Sequence, residues 1–299
     1  MISFKILRSR WRNRYLTPYL FILPAVLLLI IFRVFPIFES ARLSFTEYKM
    51  LNPRLSEYIG FDNYTRLFSD KAVGQALLNT LYYAVGTVVP GLVISLMYAL
   101  VITERWFKFQ NFSRVILFLP VILSLTITGL IFSYLYHPTF GLFNYCLNIL
   151  RLPEVQWLGH PKTAMMSVII MVVWKNLGYN ITIWSAGLLS IPLEFRDAAK
   201  IDGASWFKEF WYVRFPMLQP VLLFLSVLGF LGSFQGFEAI YVLTAGGPVH
   251  ATRVIVLYLW QNAFQWMEMG YASAIAWILF LILIGLTYLQ FKSMGKQSR

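Results

Sequence analysis

One cysteine, three histidines and a low share of charged residues each remove a class of function from this chain. Cys146 alone cannot form an intrachain disulfide framework or a multi-cysteine metal site. At an expected membrane boundary it reads as a small apolar filler. His137, His160 and His250 stand far apart, without metal-ligand spacing, and read as loop residues. The 13 acidic residues are scattered, so no clustered carboxylates suggest an embedded transferase or protease. No Gly-x-x-x-x-Gly-Lys-Ser/Thr loop occurs, which excludes nucleotide hydrolysis on a phosphate loop. Charged residues make up 13% of the chain, against about 25% in an ordinary soluble domain.

What fills the gap is apolar. Of 299 residues, 59% are hydrophobic, and the mean hydropathy is +0.65. A soluble core does not need that much apolar sequence, so the excess faces lipid. The net charge of +12 does not indicate nucleic acid. The basic residues sit at the ends of apolar runs and form no stripe interleaved with aromatics. A spanning helix needs ~20 mostly apolar residues. Six windows qualify: roughly Leu16–Ser44, Gln75–Ile102, Val115–Tyr136, Thr163–Ser190, Met217–Leu243 and Tyr271–Phe291. The first is long and lacks a small-x-small cleavage site, so it reads as an uncleaved anchor, with Arg33 and Arg42 in its outer half.

Orientation follows from the flanking charges. Lys5, Arg8, Arg10, Arg12 and Arg14 precede the first window. Arg105, Lys108 and Arg114, then Arg196, Lys200, Lys208 and Arg214, then Lys292, Lys296 and Arg299 fall on the same side. Basic residues favour that side about two to one, which predicts that both termini are cytoplasmic. Trp11, Trp106, Trp157 and Trp266 fall near expected interfaces, where indole rings are favoured. With no linker and no internal repeat, residues 1–299 read as one all-α, polytopic membrane bundle. Pro24, Pro36, Pro90 and Pro120 lie inside spans and predict kinks, either for motion and a cavity or simply for packing.

The loop between the fourth and fifth spans is unusually ordered for an inside loop. Pro192 closes the fourth span. Glu194 and Asp197 stand in a first helical turn, where negative charge suits the helix dipole. Residues 194–201 predict a short helix, which Gly203 breaks through a positive φ. An aromatic helix follows (Trp206, Phe207, Phe210, Trp211), and Pro216 restarts the chain into the membrane. The aromatic part could lie on lipid. The part before Gly203 is poorly suited to lipid, because its small residues Ala198 and Ala199 offer little apolar depth, and it better fits a knob that docks into a protein groove.

This segment resembles the EAA loop of binding-protein-dependent ABC importers. It has Asp197-Ala198-Ala199, Asp202-Gly203-Ala204 and Val213-Arg214-Phe215-Pro216 at the spacings of Glu-Ala-Ala, Asp-Gly-Ala and Ile-x-Leu-Pro. It departs at Asp197, Val213 and Phe215. Gly141-Leu142-Phe143-Asn144, Trp157-Leu158 and Thr244-Ala245-Gly246-Gly247-Pro248 resemble the outer-loop signatures of the sugar-permease branch, which includes the maltose and glycerol-phosphate permeases. Unlike the maltose permease subunit, the chain has no room for extra N-terminal spans or a large outer domain.

The resemblance implies a permease subunit rather than an enzyme, forming half of a translocation pathway for a sugar or related small polar solute. Its implied partners are a second permease subunit, a homodimeric ABC ATPase, an extracytoplasmic solute-binding protein and the lipid bilayer of a bacterial or archaeal plasma membrane, with no nucleic acid. No cofactor is bound directly; ATP and Mg act through the ATPase. Residues 191–216 would form the coupling loop, with Glu194, Asp197, Ala198, Ala199, Asp202, Gly203, Ala204 and Pro216 at the contact. Spans four to six would line the pathway. Lys175 is a charge deep in span four, with Asn176, Tyr179 and Asn180 beside it. Gly229, Gly232, Ser233 and Gly236 make one small-residue face in span five, either ligand space or close helix packing. Gln235 and Glu238 are further candidates. A secondary transporter or channel would need coupling acids and paired halves, but the spans hold few acids beyond Glu39 and Glu238.

Overall fold

The computed structural model describes residues 18–49, 52–104 and 106–295. The basic leader with Trp11, the start of the first expected span, and Arg105, Lys296 and Arg299 lie outside the described residues. In chain order the helices are α1 (Pro18–Leu43), α2 (Asp62–Ser69), α3 (Lys71–Ile102), α4 (Gln110–Ile122), α5 (Leu125–Leu135), α6 (Leu142–Ile149), α7 (Pro161–Ser190), α8 (Leu193–Ile201), α9 (Trp206–Met217), α10 (Gln219–Phe234), α11 (Glu238–Thr244), α12 (Ile255–Trp260) and α13 (Met269–Gly295). Strands β1 (Thr46–Glu47) and β2 (Glu57–Tyr58) form a two-stranded antiparallel ribbon, with Thr46 opposite Tyr58. Four helices are long and apolar enough to cross a membrane, and two bent pairs bring the number to as many as six.

The chain divides into two compact units. One draws on the chain up to Ser69 together with Asn262–Trp277. Here the Asn63 amide donates to the Ser44 and Thr46 carbonyls, tying α2 to the ribbon. Arg66 donates to Glu268 at 2.7 Å and lies over the Tyr271 ring. The other unit holds Asp70–Gln261 together with the chain from Ile278. Its centre is the α3–α7 pair. Tyr136, Val168, Met171, Ile240 and Leu257 anchor one apolar cluster. Ala99, Trp184, Leu188, Leu218 and Leu225 anchor another. Gly178 sits where α7 crosses α4, and a Cβ there would lie 2.0 Å from the Leu117 carbonyl oxygen. Two backbones can approach this closely only where no side chain intervenes.

Prolines act through the wide turns before them. Proline has no N–H to donate four residues back. In α1 a π turn, Ile30–Val34, ends beside Pro36, and the Phe35 N–H reaches back to Ile30. In α9 the same arrangement precedes Pro216: Phe210–Arg214 is a π turn, and the Phe215 N–H reaches Phe210. Pro216 therefore stays inside a helix instead of restarting one. The bend, 65°, comes at Leu218, and α10 begins with Pro220 in its first turn. Pro90 sits within α3, which continues through it.

The third and fifth expected spans are broken. A 98° bend separates α4 from α5 just after Pro120. Ser124 caps the new helix by accepting from the Ile127 N–H. The carbonyls left at the end of α4 are met by Lys175, whose ammonium donates to Leu123 at 2.7 Å, Pro120 at 3.3 Å and Val121 at 3.4 Å. In a bilayer no water replaces such a partner. Span five stops at Phe234 and resumes as α11 at Glu238. Gly232, Ser233 and Gly236 are weak helix formers, and their run coincides with the break. Cys146 is exposed on α6, so it is not a packed filler. Lys175→Met would leave the α4 carbonyls without their donor. Its expected cost is about 1–3 kcal/mol, seen as a lower thermal unfolding temperature in detergent, whereas an unchanged temperature would remove the capping role.

Candidate functional site

A cavity of about 480 Å³ opens between α3, α7 and the broken span formed by α10 and α11. Asn176, Tyr179 and Asn180 of α7 line it, one helical turn apart. Gly232 and Ser233 line it from α10, Gln235 and Gly236 from the break, and Glu238 from the start of α11. Eight of the nine expected pathway residues therefore meet at one cavity. Lys175 is not among its lining residues, because its side chain turns to the α4 carbonyls. The Glu238 carboxylate accepts from the Thr126 hydroxyl and so connects α11 to α5.

The expected walls need one correction. Span six supplies no lining residue among those described, and span two, α3, does so instead through Tyr83, Thr87 and Gly91. These lie four residues apart on one helix face, a polar and small stripe visible in the sequence but not read as pathway. The Thr87 and Ser233 hydroxyls share a 2.9 Å hydrogen bond across the α3–α10 contact. The small face of α10 divides by position. A Cβ on Gly236 would come within 2.7 Å of the Tyr83 ring, and one on Gly229 within 3.2 Å of Val88, so both serve close packing. Gly232 has nothing within 4 Å of where its Cβ would be, so it provides open space.

The loops between α5 and α7 and between α11 and α12 are held by buried polar hubs. Asn144, 2% exposed, donates to the Pro138 and Val155 carbonyls and accepts from the Val155 N–H and the Trp157 indole. All its hydrogen-bonding capacity is used, which fixes the Gly141–Asn144 turn against Trp157. The Asn79 amide of α3 donates to the His250 and Arg253 carbonyls, and the Thr80 hydroxyl accepts from the Ile255 N–H. Thr244 and Thr252 share a hydrogen bond across the Ala245–Gly246 turn, where both residues have positive φ.

The loop after α7 folds into α8 as its sequence predicts. Its end is a Schellman cap: the Ala204 N–H reaches the Ala199 carbonyl, and the Gly203 N–H reaches Lys200, with Gly203 at φ +74°. Glu194, Asp197, Ala198 and Asp202 are exposed, while Ala199 and Ala204 are half-buried. Large apolar side chains stand beside them, with Phe195 52% and Ile201 86% exposed.

Beneath α8 lies an ion cluster whose acids the sequence did not single out. Glu104 follows the end of α3, while Glu209 and Arg214 belong to α9. Arg214, 3% exposed, donates to Glu104 at 2.8 Å and to Glu209 at 2.9 and 2.8 Å. Arg196 of α8 donates to Glu209 at 3.0 Å and to Glu104 at 3.2 Å. Burial alone would raise the Glu104 carboxyl, but the Arg214 and Arg196 guanidinium groups outweigh it and hold it below its ordinary value. A depressed carboxyl stabilises the fold above its ordinary value of 4.5 and loses that contribution only in stronger acid, so Glu104 keeps its charge at neutral pH. The available signal was the rarity of acids: Glu104 stands alone among the basic residues after span two.

The geometry agrees with comparisons to known proteins. A probable ABC transporter permease protein of Bacillus subtilis (strain 168) is 36% identical over 278 residues, covering 92% of this chain and 94% of that protein. An arabinooligosaccharides transport system permease protein of the same organism is 30% identical over 294 residues, covering 96% and 93%. The fold matches a chain of a bacterial ABC transporter involved in the import of the acidic polysaccharide alginate, with a TM-score of 0.85, 22% identity, and coverage of 99% of this chain and 100% of that one. Residues 2–292 match the family of binding-protein-dependent transport system inner membrane components. With that match over nearly its whole length, the chain belongs to this family and is a multi-pass permease subunit of an ABC importer in the plasma membrane.

Proposed function

We propose that this subunit forms half of a translocation pathway for a sugar or related small polar solute in a bacterial or archaeal membrane. A second permease subunit completes the pathway, and a homodimeric ATPase drives it. The carrying observation is that Asn176 and Tyr179, inside the apolar span α7, line the cavity together with Gln235 and Glu238, and that all four are exposed within the chain. Lipid does not solvate amides and carboxylates. A partner's helices around a water-filled path would do so. Amides, a carboxylate and the Tyr83 and Tyr179 rings are the groups that recognise sugar hydroxyls and ring faces. The names of the curated relatives support a saccharide over an ion.

The exposed face of α8 supports docking of the ATPase from the cytoplasm. Glu194, Asp197, Ala198, Ala199, Asp202, Gly203 and Ala204 would form the contact, with both termini on that side. Pro216 would act from within α9 by shaping the π turn that seats Arg214. ATP and Mg would act in the ATPase, and an extracytoplasmic binding protein would deliver the solute.

Purifying the tagged chain from its native membrane in mild detergent should recover an ATPase and a second multi-span subunit. The complex in liposomes, with its binding protein, should import at least one of maltose, arabinotriose and glycerol 3-phosphate only when ATP is present inside. Recovery of the chain alone would favour a self-contained transporter. Gly232→Trp fills the one open position of the α10 face, so it should leave assembly intact and reduce import tenfold or more. Normal import would move the pathway elsewhere. Gly203→Val strains the Schellman cap through its φ of +74° rather than through crowding. It should leave the protein in the membrane with import lost, and wild-type import would remove α8 from the coupling step.

A further inference from the structure

We propose that Arg196 is the positioning residue through which movement of α8 reaches the cavity, acting on Glu104 and Glu209 as a rigid joint. The inference rests on the reading of α8 as the ATPase-docking helix. No residue of α8 is buried, so apolar packing does not fix it to the bundle. Among the described residues, Arg196 is the one α8 side chain whose hydrogen bonds reach other helices. The guanidinium is planar and always charged, and here it spans two carboxylates on two different elements.

Each carboxylate leads to a different wall of the cavity. Glu104 lies two residues past the end of α3, and Gly91 and Thr87 of that helix line the cavity about 17 and about 23 Å back along it from Ile102, at 1.5 Å per residue. Glu209 lies in α9, which leads through the bend at Leu218 into α10, with Gly232 and Ser233. Arg214 joins the same two carboxylates from inside and closes the cluster with two positive and two negative charges. A buried ionic cluster is a poor source of net stability compared with apolar packing of the same volume. It does fix direction and distance, because every hydrogen bond has to be remade if a member slides. A displacement of α8 is therefore passed to α3 and α9 together instead of being absorbed in the loop.

The test compares the full complex carrying Arg196→Met, Arg196→Lys or Glu104→Gln with the wild type. It reads ATP hydrolysis and the import of labelled maltose, arabinotriose and glycerol 3-phosphate supplied together. Arg196→Met leaves Arg214 to satisfy both carboxylates, so the protein should accumulate in the membrane and retain the ATPase. The expected result is continued hydrolysis with at least a tenfold fall in solute imported per ATP, partly restored by Arg196→Lys. An unchanged ratio would overturn the joint. Loss of the ATPase from the variant would also overturn it, by making Arg196 part of the docking surface. If Arg196→Met does not accumulate, Glu104→Gln is read in the same way, and failure of both would make the cluster a folding element only. A wild-type complex that recovers no ATPase would remove the α8 docking reading itself, an outcome separate from any difference among variants.

Discussion

In a bilayer an interrupted helix must find new partners for every backbone group it frees, and the arrangement of this chain depends on that constraint. Each interruption carries its own solution. The end of α4 has the Lys175 ammonium on three carbonyls, and the start of α5 has the Ser124 hydroxyl. The prolines at 36 and 216 follow π turns that reroute the preceding N–H one residue further back. Asn144 closes its own loop by bonding backbone groups on either side of it, and Asn79 bonds the backbone of a segment more than 170 positions away. Because these partners exist, the α4–α5 span can bend by 98° with the carbonyls at 120, 121 and 123 paired.

The cavity and the packing around it come from the same residue types used in opposite ways. Glycine brings two backbones together at Gly178, admits the Tyr83 ring at Gly236 and leaves open volume at Gly232. What separates the two uses is the neighbour: a carbonyl of α4, the ring of Tyr83, or nothing. The polar residues of α7 and α11 then face a space that this chain only partly encloses. The second subunit proposed above would supply the missing wall and account for both their polarity and their exposure.

At the other end of α7 the chain separates two tasks. The outward side of α8 presents acids, alanines and bare apolar groups, while its inward side presents one arginine to a buried cluster. An exposed helix held by directed hydrogen bonds can be displaced as a unit. One held by apolar contact alone could roll on its neighbours.

The sequence by itself determined the membrane class, the approximate positions of the spans, and the short helix ended by Gly203, because hydropathy and backbone propensity are local properties. It also brought out the α7 and α10 candidates, since helical spacing places such residues on one face. Which face meets which neighbour was decided only in the tertiary structure. Lys175 read as a pathway charge because a lysine at membrane depth is costly, yet the backbone carbonyls that offset the cost lie more than fifty positions away and are freed by a bend invisible to hydropathy. Tyr83, Thr87 and Gly91 read as part of an ordinary apolar span until α10 was placed against them. Glu104 and Glu209 meet across more than a hundred residues of sequence through shared arginines, and charges gain their meaning from such distances in space, which no local pattern records.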